Sequence, residues 1–178
     1  GEKPCYLFFD EMDRAPASVK NTSLQIVLDR KIGEHVLPES TRIFAAGNGA
    51  SDKGFAAAMG TALNNRFAHI AMIPDVDSWC EFADRASLEP ALVAFMKMRG
   101  KDLFHQTAPD RDAKAYPTAR AWERVNAILN SPKAILYHAV AGLVGEAPAG
   151  ELVAFMEMCA KLPTLDSILA NPGNAPVF

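Results

Sequence analysis

Short apolar runs that end abruptly in polar or glycine residues restrict the amino-terminal part of this chain to a small set of folds. Cys5 to Phe9 is continuously apolar and stops at Asp10-Glu11. Ile43 to Ala46 stops at Gly47-Asn48. Phe67 to Ile73 is a third such run. Runs this short and without polar alternation suit strands of a parallel sheet buried on both faces. Between the first two lies Pro16 to Arg30, a helical stretch opened by a proline at the position where a missing N–H costs nothing. Lys31 to Pro38, with Gly33, is expected to form a small hairpin ahead of the second run.

Beyond Pro74 the strand signal disappears. Leu88, Leu92 and Phe95 share one helical face, as do Trp122, Val125 and Leu129. Leu152, Phe155, Met156 and Cys159 keep the i, i+3, i+4, i+7 spacing of an amphipathic helix. Ser131-Pro132 is a helix start, and Gly100 to Pro117, polar and interrupted by proline, is expected to be mostly loop. The expected fold class is α/β: residues 1–74 as part of a parallel αβα core, and residues 75–178 as an all-α subdomain. Three parallel strands with one covering helix leave a sheet edge and a face bare, so an amino-terminal portion carrying further strands is expected.

Composition excludes several functions. The 178 residues carry 18 Lys and Arg against 21 Asp and Glu, a net charge of -3. This argues against a nucleic-acid grip based on bulk charge. The part up to Pro74 has 8 basic and 8 acidic residues and the remainder 10 and 13, so the helical part is the acidic one. That also speaks against a helical DNA-binding regulator. No apolar run reaches the roughly 20 residues of a membrane span, and no basic-then-apolar leader pattern opens the chain. Cys5, Cys80 and Cys159 are far apart and odd in number, which points to free thiols in a reducing compartment, the cytoplasm. The four histidines show no zinc-binding spacing.

The residues that carry chemistry stand at the ends of the runs. Asp10 and Glu11 end the first, where a sheet holds the backbone and side chains reach the crevice in which α/β proteins bind ligands. An Asp there suits magnesium, mostly through water, and the adjacent Glu can orient or deprotonate a water. Both could equally be solvated acids at a strand end. Asn48 ends the second run, placed to hold a water by its amide or simply to form a turn. Arg14 and Arg42 read as structural, and Trp79 and Trp122 as core anchors.

Four segments together resemble the AAA+ ATPases of the MoxR-like branch. Asp10-Glu11-Met12-Asp13-Arg14-Ala15-Pro16 is similar to the D-E-x-N-R-A-P segment, with Asp13 in place of the usual Asn. Ala45-Ala46-Gly47-Asn48 resembles the sensor 1 strand. Leu63-Asn64-Asn65-Arg66-Phe67 is similar to the segment with the arginine finger. Pro117-Thr118-Ala119-Arg120-Ala121-Trp122-Glu123 resembles the sensor 2 segment of the lid, with Ala119 for Pro and Ala121 for Ser. The landmarks come in the family's order and cover about Leu7 to Leu129.

The resemblance implies roles. Asp10 would be the magnesium-side acid and Glu11 the catalytic base. Asn48 would position the lytic water. Arg66 would reach a phosphate bound by a neighbouring subunit, and Arg120 would contact phosphate from the lid. Glu34 would sit in a hairpin that is often pore-facing. ATP and magnesium are the implied cofactors, a six-membered homo-oligomeric ring the implied assembly, and a protein with a von Willebrand A domain the implied kind of partner. The implied activity is ATP hydrolysis coupled to remodelling or maturation of a partner protein. The alternative is a non-enzymatic interaction module that has kept the lid.

The family's P-loop, G-x-x-x-x-G-K-[ST], is absent from the chain. Gly47 to Gly54 has Lys53 before Gly54, the wrong order. Gly100-Lys101 is followed by Asp102, and Phe95 stands where the first Gly belongs. The chain thus resembles the segment from Walker B to the lid, which by itself is expected not to turn over ATP.

Overall fold

The computed structural model describes residues 3–48, 60–106, 112–163 and 165–170. The chain divides into two compact units, Gly1–Ile73 and Pro74–Phe178.

In the first unit, β1 (Tyr6–Phe9) leads through a 3-10 turn (Met12–Arg14) into α1 (Ala17–Asp29). The hairpin β2 (Lys31–Ile32) and β3 (His35–Val36) follows, then β4 (Arg42–Ala45) and the short α2 (Thr61–Asn64). β1 and β4 pair in parallel, Tyr6 opposite Arg42 through Phe9 opposite Ala45, while β2 and β3 pair antiparallel. Arg30 ends α1 in the left-handed region at φ 54°. Its guanidinium donates to the carbonyls of Pro38 and Thr41, at 3.1 and 2.8 Å, and so ties the helix end to the segment that enters β4.

Two expectations for this unit are corrected. Phe67–Ile73 forms no strand: it runs as irregular chain, with Ile70, Met72 and Ile73 more than four-fifths exposed. A strand exists only through its ladder, and no described strand lies beside this run. Nor is the sheet buried on both faces. Leu7, Phe9, Ile43 and Ala45 are half-buried on one side, whereas Tyr6, Phe8 and Phe44 are exposed on the other. Tyr6 and Phe44 pack on each other there, ring centroids 6.0 Å apart.

The second unit is helical: α3 (Val76–Arg85), α4 (Pro90–Leu103), α5 (Ala119–Ile128), α6 (Lys133–Val144), α7 (Glu146–Cys159) and α8 (Leu165–Ala170). Its core runs from Trp79 to Leu152 and buries Leu92, Phe95, Trp122, Val125, Leu129 and Leu152 of the expected faces; Leu88, Phe155 and Met156 pack against it half-buried, and Cys159, half-buried, is not among its residues. Trp122 is fully buried, and its indole N–H donates to the Leu103 carbonyl at 3.1 Å, which satisfies the ring's one polar group. Phe95 packs against both Trp122 and Phe155. Arg99 on α4 and Glu151 on α7 form an ion pair at 2.7 Å. Asp75 caps α3, accepting from the Ser78 backbone N–H at 2.8 Å. Hydrogen bonding from Ser78, its hydroxyl first and its backbone second, holds the Asp75 carboxyl below its ordinary value. Burial pushes the Cys80 thiol up.

The stretch expected to be mostly loop, Gly100 to Pro117, is irregular chain in its described residues after Leu103, but its first four residues are helical, because α4 continues through Gly100 to Leu103. Gly100 is buried, and a Cβ on it would lie 2.4 Å from Val76 Cγ2. The glycine is there because α3 passes against that point of α4. At the start of α6, Pro132 and not Ser131 is the cap residue, and no side chain caps the helix. Gly145, at φ 90°, is the one-residue corner between α6 and α7, a conformation that suits glycine. Among the described residues no helix is long and apolar enough to cross a membrane.

Candidate functional site

The parallel ladder decides where the candidate residues of the first unit lie. Phe9 and Ala45 are paired, so both strands end at the same edge of the sheet. Asp10 and Glu11 follow one strand and Asn48 the other, all three exposed. The crossing is stitched beyond the strands: Ala46 N–H donates to the Phe9 carbonyl at 2.8 Å and Met12 N–H to the Ala46 carbonyl at 2.9 Å. Met12 is buried and anchors the turn.

Glu11 occupies the left-handed region, φ 49° and ψ 40°. For a residue with a Cβ this costs about 1–2 kcal/mol, a strain that the surrounding turn has to hold in place. Its N–H donates to Asp10 Oδ1 at 2.9 Å, and its carboxylate lies 3.7 Å from Arg14 Nη1. Arg14 thus lies within ion-pair distance of Glu11, both side chains exposed. Asp10 keeps one carboxylate oxygen clear of that contact.

Below this edge lies a residue that the sequence showed only as a departure from the family pattern. Asp13 is 3% exposed, and neither of its carboxylate oxygens has a hydrogen-bond partner among the described residues. A Cβ on Gly47 would come within 2.7 Å of Asp13 Oδ1. Gly47, one residue before Asn48, is therefore held to glycine by the side chain beneath it.

Arg66 stands just past α2, exposed, its guanidinium donating to the Ala62 carbonyl. Glu34 is exposed in the hairpin turn. Arg120 is in the helical unit, in the first turn of α5, whose cap Thr118 accepts from the Ala121 N–H at 3.1 Å. It lines a cavity of about 210 Å3 together with Lys114, Tyr116, Arg124 and Leu143. Sequence reasoning passed over Lys114 and Arg124; the signal for Arg124 was its i+4 spacing from Arg120.

Magnesium and ATP, which the resemblance implies, can be tested against these residues. Among the described residues no three His, Cys, Asp or Glu side chains gather around one point. A metal held entirely by the described residues therefore does not fit, while one exposed carboxylate at a strand end fits magnesium, which keeps most of its water. Gly100-Lys101 cannot cradle phosphate, since it lies within α4 with Gly100 buried. The stretch after Asn48 up to Gly54 lies outside the described residues.

No protein family, no curated protein and no solved structure matches this chain.

Proposed function

We propose that this chain is the Walker B-to-lid portion of a MoxR-like AAA+ ATPase, which couples ATP hydrolysis to remodelling or maturation of a partner protein. The observation that carries the reading is the in-register parallel pairing of β1 with β4, which brings Asp10, Glu11 and Asn48 to one sheet edge. Glu11 accepts the proton of the attacking water, and Asn48 orients that water by its amide. Asp10 would hold magnesium through water. Magnesium and ATP would supply charge neutralisation and the transferable phosphoryl group. Arg66 donates to charge that grows on phosphate in the transition state, and Arg120 contacts phosphate from the lid. With the reading come a homo-hexameric ring, a partner with a von Willebrand A domain, and a cytoplasmic location.

The test begins with the coding sequence upstream of Gly1, which is expected to hold G-x-x-x-x-G-K-[ST] in frame. This chain alone should not turn over ATP, for want of the backbone N–H groups and Lys that cradle the β- and γ-phosphates. The longer product should hydrolyse ATP with magnesium, and Glu11→Gln should abolish this. Arg66→Ala should lower turnover by roughly 10³ with far less change in nucleotide binding. A start codon at the head of this chain would favour the interaction module. Full activity in Arg66→Ala would move the finger elsewhere, with Arg14 the next candidate.

A further inference from the structure

We infer that the helical unit has a pocket of its own for linked phosphates, in which Lys114 and Arg124 bind the anion together with Arg120. The cavity of about 210 Å3 lies where the segment leading into α5 passes the last turn of α6. Arg120 and Arg124 are one turn apart on α5, so their side chains share a face. Lys114 approaches from the preceding segment, and Tyr116 and Leu143 complete the wall.

Three features give the ligand its class. No carboxylate is among the described residues that line the cavity, and none of the three cations forms an ion pair with a described residue. Like charges grouped in this way repel one another when the pocket is empty, and an anion relieves the repulsion. The pocket also opens at the amino end of α5, where the Thr118 hydroxyl accepts from the Ala121 N–H and the Thr118 carbonyl from the Trp122 N–H. The first N–H groups of a helix have no partner within it, and the partial positive charge of the helix end favours an anion there. Finally, the volume is below the roughly 300 Å3 at which pockets for whole small molecules begin. The cavity therefore accepts the phosphate portion of a ligand and leaves the rest outside. Three cations suit two or more linked phosphates better than a single one. Arginine brings a planar fork for phosphate oxygens and lysine a point charge.

The inference rests on the ATPase reading for the expectation that a nucleotide carries these phosphates, but its test does not depend on turnover. The full chain is titrated with pyrophosphate, orthophosphate, ATP and AMP at fixed ionic strength, followed by calorimetry. Pyrophosphate and ATP should bind, and orthophosphate and AMP should bind at least about tenfold more weakly. Arg124→Gln and Lys114→Gln should each weaken pyrophosphate binding by about tenfold or more. Both side chains are exposed, and circular dichroism will show the fold retained. Lys97→Gln should leave binding unchanged, because Lys97 pairs with Asp84 and is not among the lining residues. Binding of pyrophosphate but not ATP keeps the pocket and assigns it to inorganic polyphosphate. The inference is overturned if pyrophosphate binds no better than orthophosphate, if only ATP binds, or if Lys97→Gln weakens binding as much as Arg124→Gln. A missing P-loop upstream would sink the ATPase reading and leave this result standing.

Discussion

Asp13 is 3% exposed with both carboxylate oxygens unpartnered among the described residues, and it touches the position where a Gly47 side chain would begin. Burying a carboxylate without hydrogen bonds costs more than burying a neutral amide. Asp13→Asn is therefore expected to stabilise the first unit by about 1 kcal/mol at neutral pH, read from the urea midpoint. A loss of stability would show that the charge is required where it stands. Gly47→Ala should cost about 1–3 kcal/mol by overpacking, and much of that cost should vanish beside Asp13→Ala, the cycle that separates a shared contact from two independent effects. The sequence displayed Asp13 as an Asp in a segment where the resembling family has Asn. It could not display the burial, because the residue lies in a turn that follows a left-handed Glu11 and is pinned by the hydrogen bond from the Met12 N–H to the carbonyl of Ala46, just past β4 and 34 residues away in the chain.

At the scale of elements, helices were legible because each carries its own pattern. The spacing of Leu92 and Phe95, or of Trp122 and Val125, is sufficient to identify a buried face, and the structure buries all four. Strands were legible only in part. Cys5–Phe9, Ile43–Ala46 and Phe67–Ile73 look alike as apolar runs, yet only the first two found each other. Pairing is a property of two segments, and periodicity within one cannot report it. Gly100 misled for a different reason: glycine lowers helix propensity by about 1 kcal/mol, but here it admits Val76, a contact made by another helix. Gly100→Ala should thus destabilise the helical unit by about 1–3 kcal/mol despite the gain in propensity, as measured by thermal or urea unfolding. Val76→Ala in the same chain should restore part of the loss. If Gly100→Ala alone is stabilising, α3 and α4 are not in contact at that point.

Over the whole molecule, burial is divided unequally. Among the described residues the core of the helical unit has eighteen buried residues, Trp79 to Leu152. Among the described residues the first unit buries Met12, Ile26 and Leu63 as its apolar side chains, while Tyr6, Phe8, Phe44, Ile70, Met72 and Ile73 are exposed. Buried apolar area is the main favourable term in folding, so the two units should not share one stability. Hydrogen exchange in moderate urea is expected to open the β1–β4 ladder, at Phe8 and Phe44, well before α4, α5 and α6, at Leu92, Val125 and Val140. A single transition with equal protection in both units would contradict this. The same measurement bears on function. The aromatic sheet face and the bare run after Arg66 are the surfaces that the rest of an αβα core would cover under the ATPase reading. In any longer gene product that contains the P-loop, protection at Phe8 and Phe44 should rise toward that of the helical unit, because a covered face no longer opens locally. Unchanged protection there, in a product that contains the P-loop, would mean that this face is not a core surface and that β1 and β4 belong to a different sheet from the one the ATPase requires.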